Sequence, residues 1–461
     1  MLQLLIGKEI RGHVLSYRFL LTLALFFVLI VSSVQLIALN YDRQLVSYSE
    51  AKRAQDEKLK EGTDFRRLMW GGTKVDRRPN ALSVLAMGLE KEMSRSVTIS
   101  SFQQAKLGRS KYANPLFVLF PAPDLLYIVN IVASLLAVLF AFDAVCGESQ
   151  DGTLKLIMAN SVPRHAVLLA KWIGGYIALM APFLLSVLTA LFFAQLTTAL
   201  HFTGAEWLAL VGILGVSALY ISLFYALSLM ISCLVHRTST SLVINFLVWV
   251  LLVLVVPNTA PIVARALAPI PSAGVIAGKR EAIQRAVWSE MRGMRRRGME
   301  NEERQQLLDD AQMRIRDETD KLITSYLTKV DQQIALGILL ARISPSTSYV
   351  YATAALAGSG LGEFASLREY IKKYRQDFMA KTREITATRR RQAESMADRE
   401  EQREIMEAPI DPGDLPQFVP GRADLSAVLD GGQADLLILM VLNVLFFLGA
   451  YRGFMRYDLM R

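Results

Sequence analysis

The sequence predicts an all-α polytopic membrane protein. It has six transmembrane helices, cytosolic N- and C-termini and an N-terminal amphipathic helix at the interface. Two extracytoplasmic domains complete it, one small and mixed, the other mainly long helices. Three observations predict this. The chain has 461 residues, 52% of them hydrophobic, and a mean hydropathy of +0.31. Those values are too apolar for an ordinary soluble protein. Six apolar runs approach the roughly 20 residues that a bilayer crossing needs. Lys and Arg in the short connections gather on one side of those runs.

Residues 1–18 come first. Leu2, Leu4, Leu5 and Ile10 alternate with Lys8, Glu9 and Arg11, the pattern of a helix lying in the headgroup plane. The apolar run that follows is too long for a cleavable signal and lacks a small-residue exit. The spans are read as 19–39, 125–142, 172–200, 207–235, 241–256 and 436–451. Pro257 is expected to end the fifth.

Lys8, Arg11 and Arg18 precede the first span, and Lys155, Arg164 and Lys171 lie between the second and third. Arg237 separates the fourth and fifth, and Arg452, Arg456 and Arg461 follow the sixth. All fall inside if the N-terminus is cytosolic. Residues 40–123 and 257–434 are then outside, 143–171 is a cytosolic loop and 452–461 a cytosolic tail. Long translocated segments are exempt from the charge rule.

The spans so drawn hold no Asp, Glu, Lys or Arg. Lys171 is placed at a cytosolic edge, where it can snorkel. Charges within spans mark proton relays and ion paths, so their absence argues against an ion-coupled transporter. Neutral polar residues remain, among them Asn130, Tyr220, Tyr225, Ser228 and Asn443. Interhelical hydrogen bonding is the leading reading for them, and a substrate path the alternative.

In residues 40–123, Tyr41 to Arg67 reads as a charged helix that Gly71-Gly72 breaks. Leu82, Leu85, Leu89 and Met93 have helical spacing, and Val97-Thr98-Ile99 reads as a short strand. In residues 257–434, Lys279 to Leu340 is expected to be helical, with one stripe through Ile315, Thr319, Leu322, Tyr326, Val330 and Ile334. A second helix runs from about Glu363 towards Met406, with Phe364, Leu367, Ile371, Tyr374 and Phe378 on one face. These two helices are expected to pair as an antiparallel hairpin. A Pro-rich connector, APIDPGDLPQFVPG, leads back to the membrane.

The loop after the second span is the most specific feature. It reads FDAVCGESQDGTLKLIMANSVPRHAVLLAK from Phe142 to Lys171. Phe142, Asp143, Val145, Gly147, Glu148, Gly152, Thr153, Leu154, Leu156, Val162, Arg164, Val167 and Lys171 match a fixed pattern. That pattern resembles the membrane subunits of type-2 ABC exporters. Further pieces, RRPNALSV, WVLLVLVVP and ISPSTSYVYATAALAGSG, resemble a subgroup with large extracytoplasmic domains.

The resemblance implies an elbow helix at residues 1–18 and an ATPase-coupling loop at 143–171. The coupling residues it implies are Asp143, Glu148, Asp151, Gly152, Thr153, Leu154, Leu156 and Arg164. In physical terms, Gly152 permits a tight helix start and Thr153 caps the helix. Leu154, Leu156 and Ile157 offer an apolar face to a groove in the partner, while Glu148 and Asp151 meet basic residues there. The implied partners are an ATPase subunit in two copies and a second permease subunit, identical or paralogous, in a bacterial plasma membrane.

Chemistry of the chain's own is not expected. It has no G-x-x-x-x-G-K-[ST], H-E-x-x-H or G-x-S-x-G motif and no paired-cysteine zinc site. Cys146 and Cys233 both fall in or beside apolar runs, so no disulfide framework is expected. His13, His165, His201 and His236 all sit at membrane borders, as interfacial residues do. The +9 net charge is spread along the chain rather than concentrated on one face, which disfavours nucleic acid. No metal or cofactor is expected in this chain; ATP and Mg belong to the implied partner.

Two functions stay open. In the first, the chain is the permease of an ATP-driven exporter. Its charge-free spans favour an apolar or amphipathic cargo such as a lipid, lipopeptide or hydrophobic peptide. In the alternative, it is an ATP-driven scaffold or mechanotransmitter that acts on a periplasmic or extracellular protein without moving cargo.

Overall fold

The computed structural model describes residues 2–60, 73–90, 96–99, 106–108, 123–160, 162–294, 301–396 and 425–457, with scattered positions between 398 and 418. Among them, six helices are long and apolar enough to cross a membrane. They are Tyr17–Ala54, Leu125–Gln150, Arg164–Thr197, Gly204–Leu234, Thr238–Leu267 and Gly431–Met455. Each overlaps one of the six expected windows. The protein is a multi-pass membrane protein, predominantly helical.

Two boundaries differ from expectation. The first span does not give way to a separate charged helix, because one helix runs without a break over Tyr17–Lys60. The end of that expected helix, to Arg67, lies outside the described residues. Pro257 does not stop the fifth span, which continues to Leu267. A π segment, Val250–Val255, ends two residues before the proline. Such a wide turn breaks the regular i→i−4 register in which a proline is excluded.

The chain divides into two compact units, Met1–Trp249 with Ser348–Arg461, and Val250–Thr347. In the first unit the N-terminal helix Leu2–Val14 and the first span both pack on the third, and the fourth span packs on the sixth and second. Small residues allow the close approaches: Gly453 faces the Cys233 side chain, and Gly449 faces Met230. The neutral polar residues mostly bond helix to helix. Tyr220 Oη donates to Asn130 Oδ1 at 2.8 Å, Ser228 Oγ to the Val138 carbonyl at 3.0 Å, and Asn443 Nδ2 to the Leu219 carbonyl at 3.2 Å. Asn130 lies in a second π segment, Ile128–Ala133, and Trp249 Nε1 donates to Ser134 Oγ just beyond it.

Beyond the spans, the first unit holds a three-stranded antiparallel sheet. Its strands are β1 (Thr73–Asp76), β2 (Ser96–Ile99) and β3 (Lys106–Gly108), in that order, with Val75 opposite Val97 and Val97 opposite Leu107. The expected strand at 97–99 is therefore present. Val97 is buried in one cluster with Leu367, Ile371, Tyr374, Phe378 and Leu415. The periodic face of the helix Leu361–Glu394 is thus core against the sheet. Leu415 from the Pro-rich connector closes the cluster, and Tyr374 Oη donates to the Pro416 carbonyl at 2.8 Å.

The expected helix through Leu82 and Leu85 is instead a single 3-10 turn, Ala81–Val84, and Met93 lies outside the described residues. The reason is capping on both sides. Asn80 Oδ1 accepts from Leu82 N at 3.1 Å, while Asp124 Oδ2 accepts from Met87 N at 2.7 Å. Asn80 Nδ2 also donates to the Ala357 carbonyl at 2.6 Å. Gly88 has φ +43°, and Leu89 N reaches the Ser359 carbonyl at 2.9 Å. Two of the sequence pieces singled out above, RRPNALSV and AGSG, therefore lock together.

In the second unit the helices Ala273–Met294 and Asn301–Ala341 pack together, and the latter also packs on Val256–Leu267. Gly337 meets Ala264, and Gln333 Nε2 donates to the Ala268 carbonyl at 2.6 Å. The segment 279–340, expected to be helical, lies in these two paired helices, while the helix Leu361–Glu394 packs on the sheet. Thr319 of the predicted stripe is buried, whereas Ile334 at its end is exposed.

Candidate functional site

The segment 143–171 holds two short helices, Cys146–Gln150 at the end of the second span and Thr153–Ala159 after it, and its last residues open the third span at Arg164. Gly152 joins them with φ +74°, a conformation that glycine adopts at little cost. It is itself the N-cap of the second helix. Thr153 is not the cap: it is the first helical residue, and its hydroxyl donates to the Glu148 carbonyl at 3.2 Å.

The root of the loop is pinned to neighbouring spans. Ser232 Oγ accepts from Val145 N at 3.1 Å and Cys146 N at 3.2 Å, satisfying two amides that have no partner in their own helix. Ser241 Oγ donates to the Phe142 carbonyl at 2.7 Å. Thr238 donates to Gln150 Oε1 through its amide and its hydroxyl. Cys146 and Cys233 are buried free thiols.

Most charged residues expected to face a partner are instead engaged within the chain. Asp143 accepts both Nη atoms of Arg18, at 3.1 and 2.7 Å, and Arg18 lies over the Phe142 ring. Arg164 Nη1 donates to the Met455 carbonyl at 2.9 Å and the Tyr457 carbonyl at 3.3 Å. Tyr457 stacks on His236.

Glu148 lies 2.7 Å from Lys171 Nζ and 3.5 Å from Lys8 Nζ. Lys171 also lies 3.3 Å from Glu9 Oε1. The Lys171 side chain is only 2% exposed, so it does not snorkel to water. Two carboxylates meet it instead, as burial of a charge requires. Tyr225 Oη donates to the Lys171 backbone carbonyl at 3.2 Å.

This cluster forms where the N-terminal helix lies against the third span. A Cβ on Gly174 would stand 2.7 Å from Glu9 Cβ, and one on Gly175 would overlap the Tyr225 hydroxyl. The paired glycines thus let the two helices touch. His13 stacks on Phe140, and burial first of all lowers its pKa below the usual histidine value.

What remains outward-facing is a smaller set. Asp151, Thr153, Lys155 and Leu156 are exposed, Leu156 by 70%. Leu154 is fully buried in its own chain, so the apolar face is Leu156 with half-buried Ile157 and Met158. Sequence reasoning missed Lys8, Glu9 and Arg18 as members of this site. The adjacent Lys8-Glu9 pair on the amphipathic N-terminal helix, and Gly174-Gly175 within an apolar run, were the available signals.

Among the described residues no group of three or more His, Cys, Asp or Glu is placed to hold a metal. The sequence model of a family described as "ABC-2 family transporter protein" matches residues 3–459. The search against curated proteins gives no match.

Proposed function

The chain belongs to the ABC-2 family of transporter proteins, and from that premise we propose that it is the permease of an ATP-driven exporter, powered by a separate ATPase subunit through the loop 143–171. One observation carries the assignment. The helix Thr153–Ala159 presents Lys155 and Leu156 to solvent, while the root of the same loop is bonded to the N-terminal helix and to the third, fourth and fifth spans. A rigid base with an exposed apolar knob is what a groove on a partner grips.

The same end of the bundle gathers Lys8, Arg18, Arg164, Lys171 and the end of the sixth span. That clustering supports a cytosolic placement of both termini by the short-loop charge rule, and the family suggests a bacterial inner membrane. The N-terminal helix then serves as the elbow. Two such permeases, identical or paralogous, act with two ATPase subunits that bind ATP and Mg. Closure of the ATPases pushes the two coupling helices and repacks the spans as rigid bodies. The cargo is a lipid, lipopeptide or hydrophobic peptide.

The test is co-purification with the ATPase. Leu156→Asp alters an exposed side chain, so stability should change by no more than about 0.5 kcal/mol, while the ATPase no longer co-purifies. Retention of the ATPase by a folded Leu156→Asp variant refutes the assignment of the loop. The helical pair Ala273–Met294 and Asn301–Ala341 favours the second reading, a mechanotransmitter that acts on an outside protein. ATP-dependent cargo movement in vesicles holding only the permease and ATPase separates the two.

A further inference from the structure

Lys171 is a buried cation with two carboxylates from different parts of the chain. Glu148 comes from the first short helix of the loop, and Glu9 from the N-terminal helix. Lys8, one residue before Glu9, reaches back to Glu148 at 3.5 Å. Four charges therefore close a ring across three elements, with the third span as its fixed member. The Gly174-Gly175 notch lies on the same face, within one turn of Lys171, and seats the N-terminal helix against that span.

We propose that Lys171 is a positioning residue: it ties the N-terminal helix and the loop 143–171 to the third span, so that the three move as one body. The inference rests on the coupling role given above to the loop. It goes further by naming what carries the displacement and where it goes. The geometry sets the direction. A push on Leu156 travels through Glu148 to Lys171, and from there to the N-terminal helix rather than only to the third span. The N-terminal helix has no buried residue of its own, so its seat depends on this ring, on the glycine notch and on the His13–Phe140 stack.

Spin labels placed at Leu4 and Lys155, both exposed, read the distance between the N-terminal helix and the loop. The measurement uses the full chain in lipid nanodiscs, with Cys146 and Cys233 changed to Ala. A single narrow distance is expected in the parent and in Lys171→Arg, which keeps the cation. Lys171→Met is expected to broaden the distribution at least twofold, with the helical circular dichroism retained. Glu9→Gln weakens one arm only and should broaden it less, which keeps the test available if Lys171→Met does not fold.

An unchanged narrow distribution in a folded Lys171→Met, or in Glu9→Gln if the former does not fold, overturns the proposal. A Lys171→Arg variant as broad as Lys171→Met overturns it too. The readout needs no ATPase, so it stands apart from the exporter assignment. Loss of ATPase binding by the parent chain would sink that assignment and leave the ionic tie in place.

Discussion

Gly175→Ala adds one methyl group where, among the described glycines, a Cβ would meet its neighbour most closely. That methyl would overlap the Tyr225 hydroxyl, lie 2.7 Å from the ring carbon bearing it, and lie 3.1 Å from His13 Nε2. Overpacking a dense interior costs about 1–3 kcal/mol. A buried aromatic ring yields little, so the upper half of that range applies. The better helix propensity of Ala offsets about 1 kcal/mol, which leaves a net loss of about 1–2 kcal/mol.

Tyr225→Phe alone removes the bond to the Lys171 carbonyl and costs about 1 kcal/mol. In the double variant the overlapping oxygen is gone, and the methyl meets only the ring edge. The double variant should therefore be less damaged than the sum of the singles, by about 1 kcal/mol. Reversible unfolding in mixed micelles with increasing denaturing detergent measures all three. Additivity within about 0.3–0.5 kcal/mol would show that the two residues do not meet as described. So would a neutral Gly175→Ala.

Two further outcomes are expected. Gly88→Ala forces a side chain onto φ +43° and places its Cβ 2.7 Å from the Ser359 backbone carbonyl, which cannot swing aside. It should cost more than about 2 kcal/mol, whereas Gly12→Ala, with nothing within 4 Å, should not destabilise in the same unfolding assay. His13 has its pKa lowered from 6.5 first by burial, with Lys171 and Arg18 acting the same way and Glu9 and Asp143 opposing. The folded state thus binds the proton more weakly than the unfolded chain. The stabilisation is complete above pH 6.5 and is lost as pH falls below it. His13→Phe keeps a ring against Phe140 and should flatten the stability profile between roughly pH 7.5 and 5.5; an unchanged slope would assign the effect elsewhere.

The six crossings were legible because hydropathy is a one-dimensional signal and bilayer thickness sets its length. The amphipathic stripe through Leu367, Ile371, Tyr374 and Phe378 was legible for a similar reason: it is periodic and buried. Its partner was not, because periodicity says which face is covered and not by what. Strand β2 covers it, with Leu415 from the Pro-rich connector. Pro257 misled because the rule that ends helices at proline assumes a regular register, and the preceding π segment breaks it.

At the loop, the residue pattern misjudged which residues face outward. Glu148, Asp143 and Arg164 look like contact residues in a polar stretch. Their partners Lys171, Lys8, Arg18 and the Met455 carbonyl are brought to them by tertiary packing, which local spacing does not encode. Leu154 and Leu156 are two residues apart and of the same type. Only the turn of the short helix separates the buried one from the exposed one.

The bonds from Arg164 to the Met455 and Tyr457 carbonyls span 291 and 293 residues of chain. Neither acceptor exists until the ribosome has passed it. At roughly 5–20 residues per second, Arg164 waits about 15–60 s after its own synthesis before this anchor can form. Throughout that interval the root of the loop 143–171 lacks its bond to the end of the sixth span. A nascent chain stalled before the final helix would insert most of its spans and still offer an unfinished surface. Completion of this anchor is therefore timed by translation of the last helix, whatever the order in which the earlier crossings enter the bilayer.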